Sequence, residues 1–351
     1  MSLSIKKWGF LLPYLLIAIF FTGCYFRGWF MFGIPLTIFV LVPLLDILIG
    51  VDRTNPTPEE LSASVAAPFF KWLTLAYVPF QYAMIGFALW FGGHFELTTT
   101  EWIGLVLSLG ILTGGIGITI AHELGHKSNP LEQTAGQALF ASVCYTHFYI
   151  EHNQGHHANV STPEDPASAQ FNESLYRFLP RTLFGCYLDA WKLENRKFQR
   201  RGLSPWSVRN RMIWYSLMPL ALATLIYPFW QVPGLILFFG QSVVAVLLLE
   251  VVNYIEHYGL TRNKNEKGNY ERVNITHSWN ANHLVTNWLL FHLQRHSDHH
   301  ANASRRYQVL RHFDESPQLP TGYAGMILVA LCPPLWFWVM NPKVRTYYHE
   351  A

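Results

Sequence analysis

Long apolar runs constrain this chain more than any other feature. Six runs approach or exceed the about 20 residues that a helix needs to cross the hydrocarbon core of a bilayer, and they span residues 8–30, 32–50, 69–92, 102–121, 212–230 and 234–252. Charged residues make up only 13% of the chain, about half their usual share in soluble globular proteins. Because a surface that faces water needs more charge, we predict that much of this surface faces lipid.

The distribution of Lys and Arg predicts the orientation of the spans. Segments 122–211 and 253–351 carry ten Lys or Arg each, whereas the loops between paired runs carry only Arg27. We therefore predict a single all-α integral membrane domain over residues 1–351, with six transmembrane helices and a cytoplasmic, histidine-rich cap. The short apolar stretches 135–150 and 325–340 are predicted to be re-entrant or interfacial segments. The alternative is a seventh span at the C-terminus.

The chain has 16 histidines, and most of them are clustered. Three clusters, HELGH, EHNQGHH and LQRHSDHH, each begin near the end of an apolar run, and NYIEHYGL adds one histidine after the sixth run. A single histidine is usually a packing or surface residue, but this concentration on one side of a membrane indicates metal binding, for which imidazole is the commonest side-chain ligand. Nine imidazoles exceed the capacity of one ion, so two ions are predicted. The candidate ligands are His122, His126, His152, His156, His157, His257, His296, His299 and His300.

Imidazole suits zinc, copper, iron and nickel, and the spacing does not choose among them. Nine ligands on two ions imply more than the four that close a structural zinc site, which favours redox-active iron with an open position. His122, Glu123 and His126 also match HExxH, the zinc protease motif in which the glutamate is the general base. That reading leaves most of the clustered histidines unused. An intramembrane zinc protease and a metal transporter remain as non-oxidative alternatives.

Acidic residues beside the clusters are candidates for carboxylates that orient the imidazoles through their outer N–H groups and offset the charge of two cations. They are Glu123, Glu151, Glu256, Asp298 and the pair Glu164–Asp165. His283 and His292 are predicted to lie on the same helix as the third cluster, with His292 four residues before His296 as a further outer residue of the site. His94 and His349 are predicted to be solvent residues.

Four cysteines stand far apart without a CxxC pair, which argues against a disulfide framework and against a cysteine-ligated zinc or iron–sulfur site. If the site is redox-active, electrons must therefore come from another protein or a fused domain. The predicted cytoplasmic side carries basic residues suited to an acidic partner: Arg196, Lys197, Arg200, Arg201, Arg305, Arg306 and Arg311. The net charge of +3 decides nothing about partners, and no nucleic-acid partner is predicted.

Four blocks resemble the alkane 1-monooxygenases, within the superfamily of membrane fatty acid desaturases and hydroxylases. They are HELGHK at 122–127, EHNQGHHANVSTPEDPA at 151–167, NYIEHYGL at 253–260 and LQRHSDHHANASRRYQVLR at 293–311. The resemblance implies two non-haem iron ions held by the nine histidines, dioxygen as oxidant, and rubredoxin as electron donor, with its reductase and NADH upstream. It also implies a bacterial inner membrane location and hydroxylation of the terminal methyl of medium-chain n-alkanes.

The chemistry of such a substrate agrees with the pattern. An unactivated methyl group offers neither a charge nor a leaving group, so the metal must carry out the difficult step while the protein supplies position and excludes water. An alkane partitions into the bilayer, so we expect apolar residues of the first four spans to form a channel to the metals. A related hydroxylase or desaturase acting on acyl chains or aromatic methyl groups is the alternative.

Overall fold

The computed structural model describes residues 6–350, with side chains through Tyr348. This part of the chain forms helices and loops without a β-strand, as the apolar runs predict. In chain order the helices are α1 (Lys7–Phe26), α2 (Gly28–Ile49), α3 (Pro58–Ala66), α4 (Pro68–His94), α5 (Thr99–Gly125), α6 (Pro130–Ala141), α7 (148–159), α8 (Leu175–Gln199), α9 (Arg211–His257), α10 (Leu284–Leu289), α11 (His296–Ala301), α12 (Tyr323–Ala330) and α13 (Pro333–Glu350).

Five of these helices, α1, α2, α4, α5 and α9, are long and apolar enough to cross a membrane. Helix α9 contains 47 residues, which corresponds to a length of about 70 Å. The hydrocarbon core of a bilayer is only about 30 Å thick. The backbone of α9 is not helical at Gln231, where φ is 50° and ψ is −147°. The predicted runs 212–230 and 234–252 lie on either side of this break.

Helix α5 packs against α4 and α9 because its glycines leave room for the neighbouring backbones. A Cβ atom on Gly114 would lie 2.6 Å from the Cα atom of Ala245 in α9, and one on Gly117 would lie 1.9 Å from the Gln81 side chain in α4. The same stretch, Leu112–Ile118, widens into a π-helical turn, a feature frequent at functional sites. The glycine-rich sequence therefore fixes how closely α5 approaches its neighbours.

Glu101 ties together the loops at one end of the bundle. It forms a capping box with Thr98 at the start of α5, and its carboxylate accepts hydrogen bonds from the Gly28 backbone N–H at 3.0 Å and from Arg27 Nε at 3.1 Å. Arg27 adopts a positive φ of 62° and ends α1 there. The histidine clusters lie at the opposite end, where α5 and α9 terminate.

The two short apolar stretches form helices that are not among those long enough to span. Residues 135–150 contribute the end of α6 and the start of α7, separated by a turn at Cys144 with a positive φ of 57°. Residues 325–340 are divided between α12 and α13 at Pro333. No candidate span is found after α9 in the described part of the chain, so the alternative of a further span at the C-terminus has no support there.

The prediction that His283, His292 and the third cluster share one helix is wrong. Helix α10 ends at Leu289, and both Phe291 and His292 have positive φ values of 49° and 59°. These two left-handed residues interrupt the helical backbone between α10 and α11. His292 is consequently not one helical turn away from His296.

Candidate metal centre

The nine predicted ligands converge at one end of the bundle on four separate segments. His122 lies in the last turn of α5 and His126 is the residue that caps it. The second cluster lies in α7, where His152–His156 form a π-helical turn. His257 is the last residue of α9, and the third cluster forms α11. Their convergence therefore depends on tertiary packing.

Five of the nine imidazoles form one group. Their ligand nitrogens all lie within 4.8 Å of one another, and the members are His122, His126, His152, His157 and His299. The Nε2 atom of His122 lies 2.8 Å from that of His152 and 3.3 Å from that of His126. The Nε2 atom of His157 lies 3.0 Å from that of His152 and 3.2 Å from that of His299. All five side chains thus direct Nε2 to a common point.

The other four imidazoles form a second group, again with ligand nitrogens within 4.8 Å of one another. The Nε2 atoms of His296 and His300 are 2.9 Å apart. The Nε2 atoms of His156 and His257 are buried and have no hydrogen-bond partner among the described residues. The two groups are adjacent, since the rings of His157 and His300 are stacked with centroids 4.4 Å apart.

The spacing of these nitrogens fits metal coordination better than hydrogen bonding. A neutral imidazole has one N–H, so five inward-facing nitrogens cannot all be paired by sharing protons, whereas a cation at the centre would bind every lone pair. Bonds of about 2.1 Å place two ligand nitrogens about 3.0 Å apart at 90° and about 3.4 Å apart in a tetrahedron. The observed separations of 2.8–3.3 Å are therefore those expected of imidazoles that share a metal ion.

Burial keeps the imidazoles in the neutral form that binds metals. Desolvation by burial, reinforced by the neighbouring histidines, holds the pKa of His152, His299 and His300 well below the usual range. The same causes lower the pKa of His126 and His157. The neutral rings keep a lone pair available at pH 7.

Two outer nitrogens have partners that orient their rings. Asp165 accepts a hydrogen bond from Nδ1 of His156 at 2.8 Å, so it is the member of the Glu164–Asp165 pair that touches a predicted ligand. The backbone carbonyl of His277 lies 3.3 Å from Nδ1 of His257, a partner that the sequence could not indicate because it is a main-chain atom. Both contacts leave Nε2 free to face a metal.

Three of the predicted outer residues form their hydrogen bonds with groups other than the clustered imidazoles. Glu123 pairs with Lys127 at 3.0 Å, Asp298 pairs with Arg305 at 2.5 Å, and Nδ1 of His292 lies 3.0 Å from the carbonyl oxygen of Tyr307. Their contacts brace the surrounding loops instead of the imidazole rings. Sequence proximity to a ligand suggested these three residues, but their side chains contact other partners.

Among the other acidic candidates, Glu256 approaches a predicted ligand. Its Oε2 atom lies 3.1 Å from Nε2 of His296. Glu151 is fully buried, and burial raises the pKa of its carboxyl group well above the usual value. His94 is exposed at the far end of α4, as predicted, and the His349 side chain lies outside the described residues.

An apolar cavity leads from the histidines into the bundle. At its metal end it is lined by His122, His152, His296 and Glu256, and its other walls come from α1, α2, α5, α9, α10 and α12. Helix α4 does not contribute to the described lining, so the expectation that all of the first four spans would form the walls is wrong for this helix. The shorter helices α10 and α12 take that place.

One surface cavity reaches a histidine of the site from outside, and a second surface cavity lies beside α7. One exposes His126 and is bordered by Lys71, Lys127 and Arg306. The other, which we call the basic groove, is lined by Gln154, Leu193, Arg196, Lys197, Arg200 and Arg201. Of the other predicted basic residues, Arg305 and Arg306 are held in ion pairs with the buried carboxylates Asp298 and Glu132.

Comparisons with known proteins agree with the predicted resemblance. Residues 100–330 match the family model of the fatty acid desaturases. The chain is 47% identical to alkane 1-monooxygenase 1 of Pseudomonas aeruginosa over 99% of its own length and 93% of that protein. It is 50% identical to alkane 1-monooxygenase 2 of the same organism, over 89% and 83%. It is also 29% identical to the xylene/toluene monooxygenase hydroxylase component XylM of Pseudomonas putida, over 93% and 85%.

Proposed function

This chain belongs to the alkane 1-monooxygenase family, and from that premise we propose that it hydroxylates the terminal methyl of medium-chain n-alkanes. The observation that carries the proposal is the opening of one apolar cavity onto both histidine groups. The reaction is R–CH3 + O2 + 2e⁻ + 2H⁺ → R–CH2OH + H2O. Each substrate carbon is then held by apolar contacts, and only the end of the chain reaches the metals.

Two iron ions are proposed, one in each histidine group. His122, His126, His152, His157 and His299 would hold the first, and His156, His257, His296 and His300 the second. When bound, iron would supply the redox chemistry that activates dioxygen and oxidises an unactivated C–H bond. The protein contributes imidazoles, of which the ring of His156 is held by Asp165, and an apolar cavity at the inner side of the site.

Selectivity for the chain end follows from the shape of the cavity. Its walls are mainly Leu, Ile, Val and Gly, so most of the chain of a substrate would meet apolar side chains that do not favour one carbon in the middle of the chain over the next. A linear alkane would enter lengthwise and present its terminal methyl to the histidines at the polar end. Exclusion of water there strengthens the interactions between the metals and their ligands.

Rubredoxin is proposed as the electron donor that the family's chemistry requires. The basic groove is suited to an acidic protein, because Arg196, Arg200 and Arg201 are exposed and Gln154 in its wall lies between His152 and His156 in sequence. A partner seated there would lie beside α7. Charge complementarity of this kind mainly accelerates the encounter of the two proteins.

We further propose six crossings in a bacterial inner membrane with the histidine end in the cytoplasm. The break at Gln231 supports two crossings by α9, because one crossing cannot accommodate its length. The concentration of Lys and Arg in 122–211 and 253–351 supports the orientation.

The zinc protease alternative is disfavoured by the position of Glu123. A protease of the HExxH type needs this carboxylate free to activate water, but here it forms an ion pair with Lys127 and also accepts a hydrogen bond from the Tyr307 N–H at 3.3 Å. The alternative of an aromatic methyl substrate is kept because of the similarity to the xylene/toluene monooxygenase component.

Purified protein supplied with rubredoxin, its reductase, NADH and octane tests the proposal. We expect 1-octanol, a requirement for oxygen, and iron near two ions per chain. Parallel incubation with p-xylene tests the aromatic alternative. If the benzylic alcohol forms faster than 1-octanol, the preferred substrate is an aromatic methyl compound and not an alkane. Absence of alcohol from both substrates in the iron-loaded protein would contradict the proposed reaction.

A further inference from the structure

Glu256 lies on the inner side of the four-histidine group. Its Oε2 atom is 3.1 Å from Nε2 of His296, the nitrogen that faces the other ligands, and not from the outer Nδ1 that orienting carboxylates usually contact. The side chain is 2% exposed and lines the apolar cavity together with His296. The carboxylate therefore lies between the metal group and the substrate cavity.

This contact poses an electrostatic problem that a shared proton does not solve. Nε2 of His296 faces both Oε2 of Glu256 at 3.1 Å and Nε2 of His300 at 2.9 Å, and a single N–H can be directed at only one of them. Within residues 6–350 the only ion-pair contact of Glu256 is His296, and the Tyr323 hydroxyl beside the carboxylate is neutral and supplies no compensating charge. A buried carboxylate without a cation is strongly disfavoured.

A metal ion in the four-histidine group would remove this conflict. His296 and His300 would hold it through the lone pairs of their Nε2 atoms, and its charge would compensate the Glu256 carboxylate. This group has one imidazole fewer than its neighbour, so it has more room for an anionic group on the side where Glu256 stands. The hydroxyl of Tyr323 lines the same cavity and lies beside the Glu256 carboxylate.

We propose that Glu256 is the anionic partner of the ion in the four-histidine group and stabilises that ion from the cavity side. The inference rests on the proposed pair of metal ions, and it adds a carboxylate to a site otherwise made of neutral imidazoles. It also accounts for a negative charge in the wall of a cavity that otherwise suits a hydrocarbon.

Metal loss from the intact protein in detergent tests the role of Glu256 without any measurement of turnover. Iron-loaded wild-type and Glu256→Gln proteins are titrated with a chelator, and the iron retained per chain is counted at each concentration. We expect Glu256→Gln to lose one of its two ions at a free-metal concentration about 10- to 100-fold higher than the wild type does, the range found for partners of metal ligands. The other ion should be retained as in the wild type.

Glu250→Gln is the matched control, because Glu250 is a buried carboxylate on the same helix whose oxygens accept hydrogen bonds from Tyr145, Thr182 and Asn253. It should bind both ions as the wild type does. Equal retention of both ions in Glu256→Gln, or equal weakening of both, would overturn the proposal. Unchanged elution and helix content of the metal-free variant exclude misfolding. If the wild type binds two ions but forms no alcohol, the proposed function fails while this inference stands.

Discussion

Gly115 is the position where the cavity can be narrowed without displacing a helix. The nearest heavy atom to a Cβ on Gly115 would be Cδ2 of Leu248, at 3.6 Å, which is an ordinary contact, and both residues line the cavity. The adjacent Gly114 offers no such room, because its Cβ would collide with the backbone of Ala245. We therefore expect Gly115→Leu to fold normally and to place its side chain in the path of the substrate.

The expected effect follows from the distance between Gly115 and the histidines. Seven residues separate it from His122, or about 10 Å along the helix axis. Carbon–carbon bonds of about 1.5 Å at about 111° advance an extended chain by about 1.25 Å per carbon. Allowing for the gap between the metal and the methyl group, the sixth to eighth carbon would lie beside Gly115.

In Gly115→Leu, an alkane that extends beyond position 115 should lose the contacts of its further carbons with the cavity wall. Decane has about four carbons beyond hexane, and burial of each methylene contributes about 0.8 kcal/mol, so about 3 kcal/mol of discrimination is at stake. This corresponds to a roughly 100-fold decrease in the ratio of kcat/KM for decane to kcat/KM for hexane. Hexane itself should react at close to the wild-type rate.

Competition between hexane and decane, followed by gas chromatography of the two alcohols, measures this ratio directly. Gly86→Leu is the matched control, because it makes the same change in a membrane-crossing helix where nothing lies within 4 Å of the new Cβ. It should leave the ratio unchanged. An unchanged ratio in an active Gly115→Leu enzyme would refute the placement of the substrate in this cavity.

Three further outcomes are expected. Replacing any one of the nine clustered histidines with Ala should lower bound iron and abolish or nearly abolish hydroxylation, whereas His94→Ala should keep both; wild-type iron and rate in any clustered variant would remove that residue from the ligand set. After the exposed Cys332 is changed to Ser, cysteines placed at Thr99 and at Arg201 should react with a membrane-impermeant reagent from opposite faces, and labelling from one face would contradict six spans. Turnover at limiting rubredoxin should fall as salt rises, because screening weakens attraction to the basic groove; turnover that does not depend on salt would argue against electrostatic docking.

Local sequence signals were sufficient to predict the membrane character of the protein, its family and the set of clustered histidines. The length of an apolar run, the excess of basic residues on one side and the spacing of histidines along a helix all depend on residues close together in the chain. Relatives in the alkane 1-monooxygenase family confirm the predicted membership. The roles of the individual histidines as iron ligands stay predictions.

Helix direction explains why some sequence neighbours of the predicted ligands do not contact the imidazoles. Glu123 and Asp298 are adjacent to ligands in sequence, yet consecutive helical residues point about 100° apart, and their carboxylates pair with Lys127 and Arg305 instead. Asp165, nine residues beyond His156, reaches its ring because the chain turns back after α7. Distance along the chain does not predict such a contact.

The division into two metal groups was decided by the tertiary structure alone. The second cluster contributes His152 and His157 to one group and His156 to the other, and the third cluster is divided in the same way between His299 and the pair His296 and His300. Each cluster is short, but its side chains leave the helix in different directions and meet partners more than a hundred residues away. The sequence alone thus determined which imidazoles are present at this end of the membrane domain, whereas only the packing of α5, α7, α9 and α11 determined which of them face the same point, because that depends on contacts between distant segments.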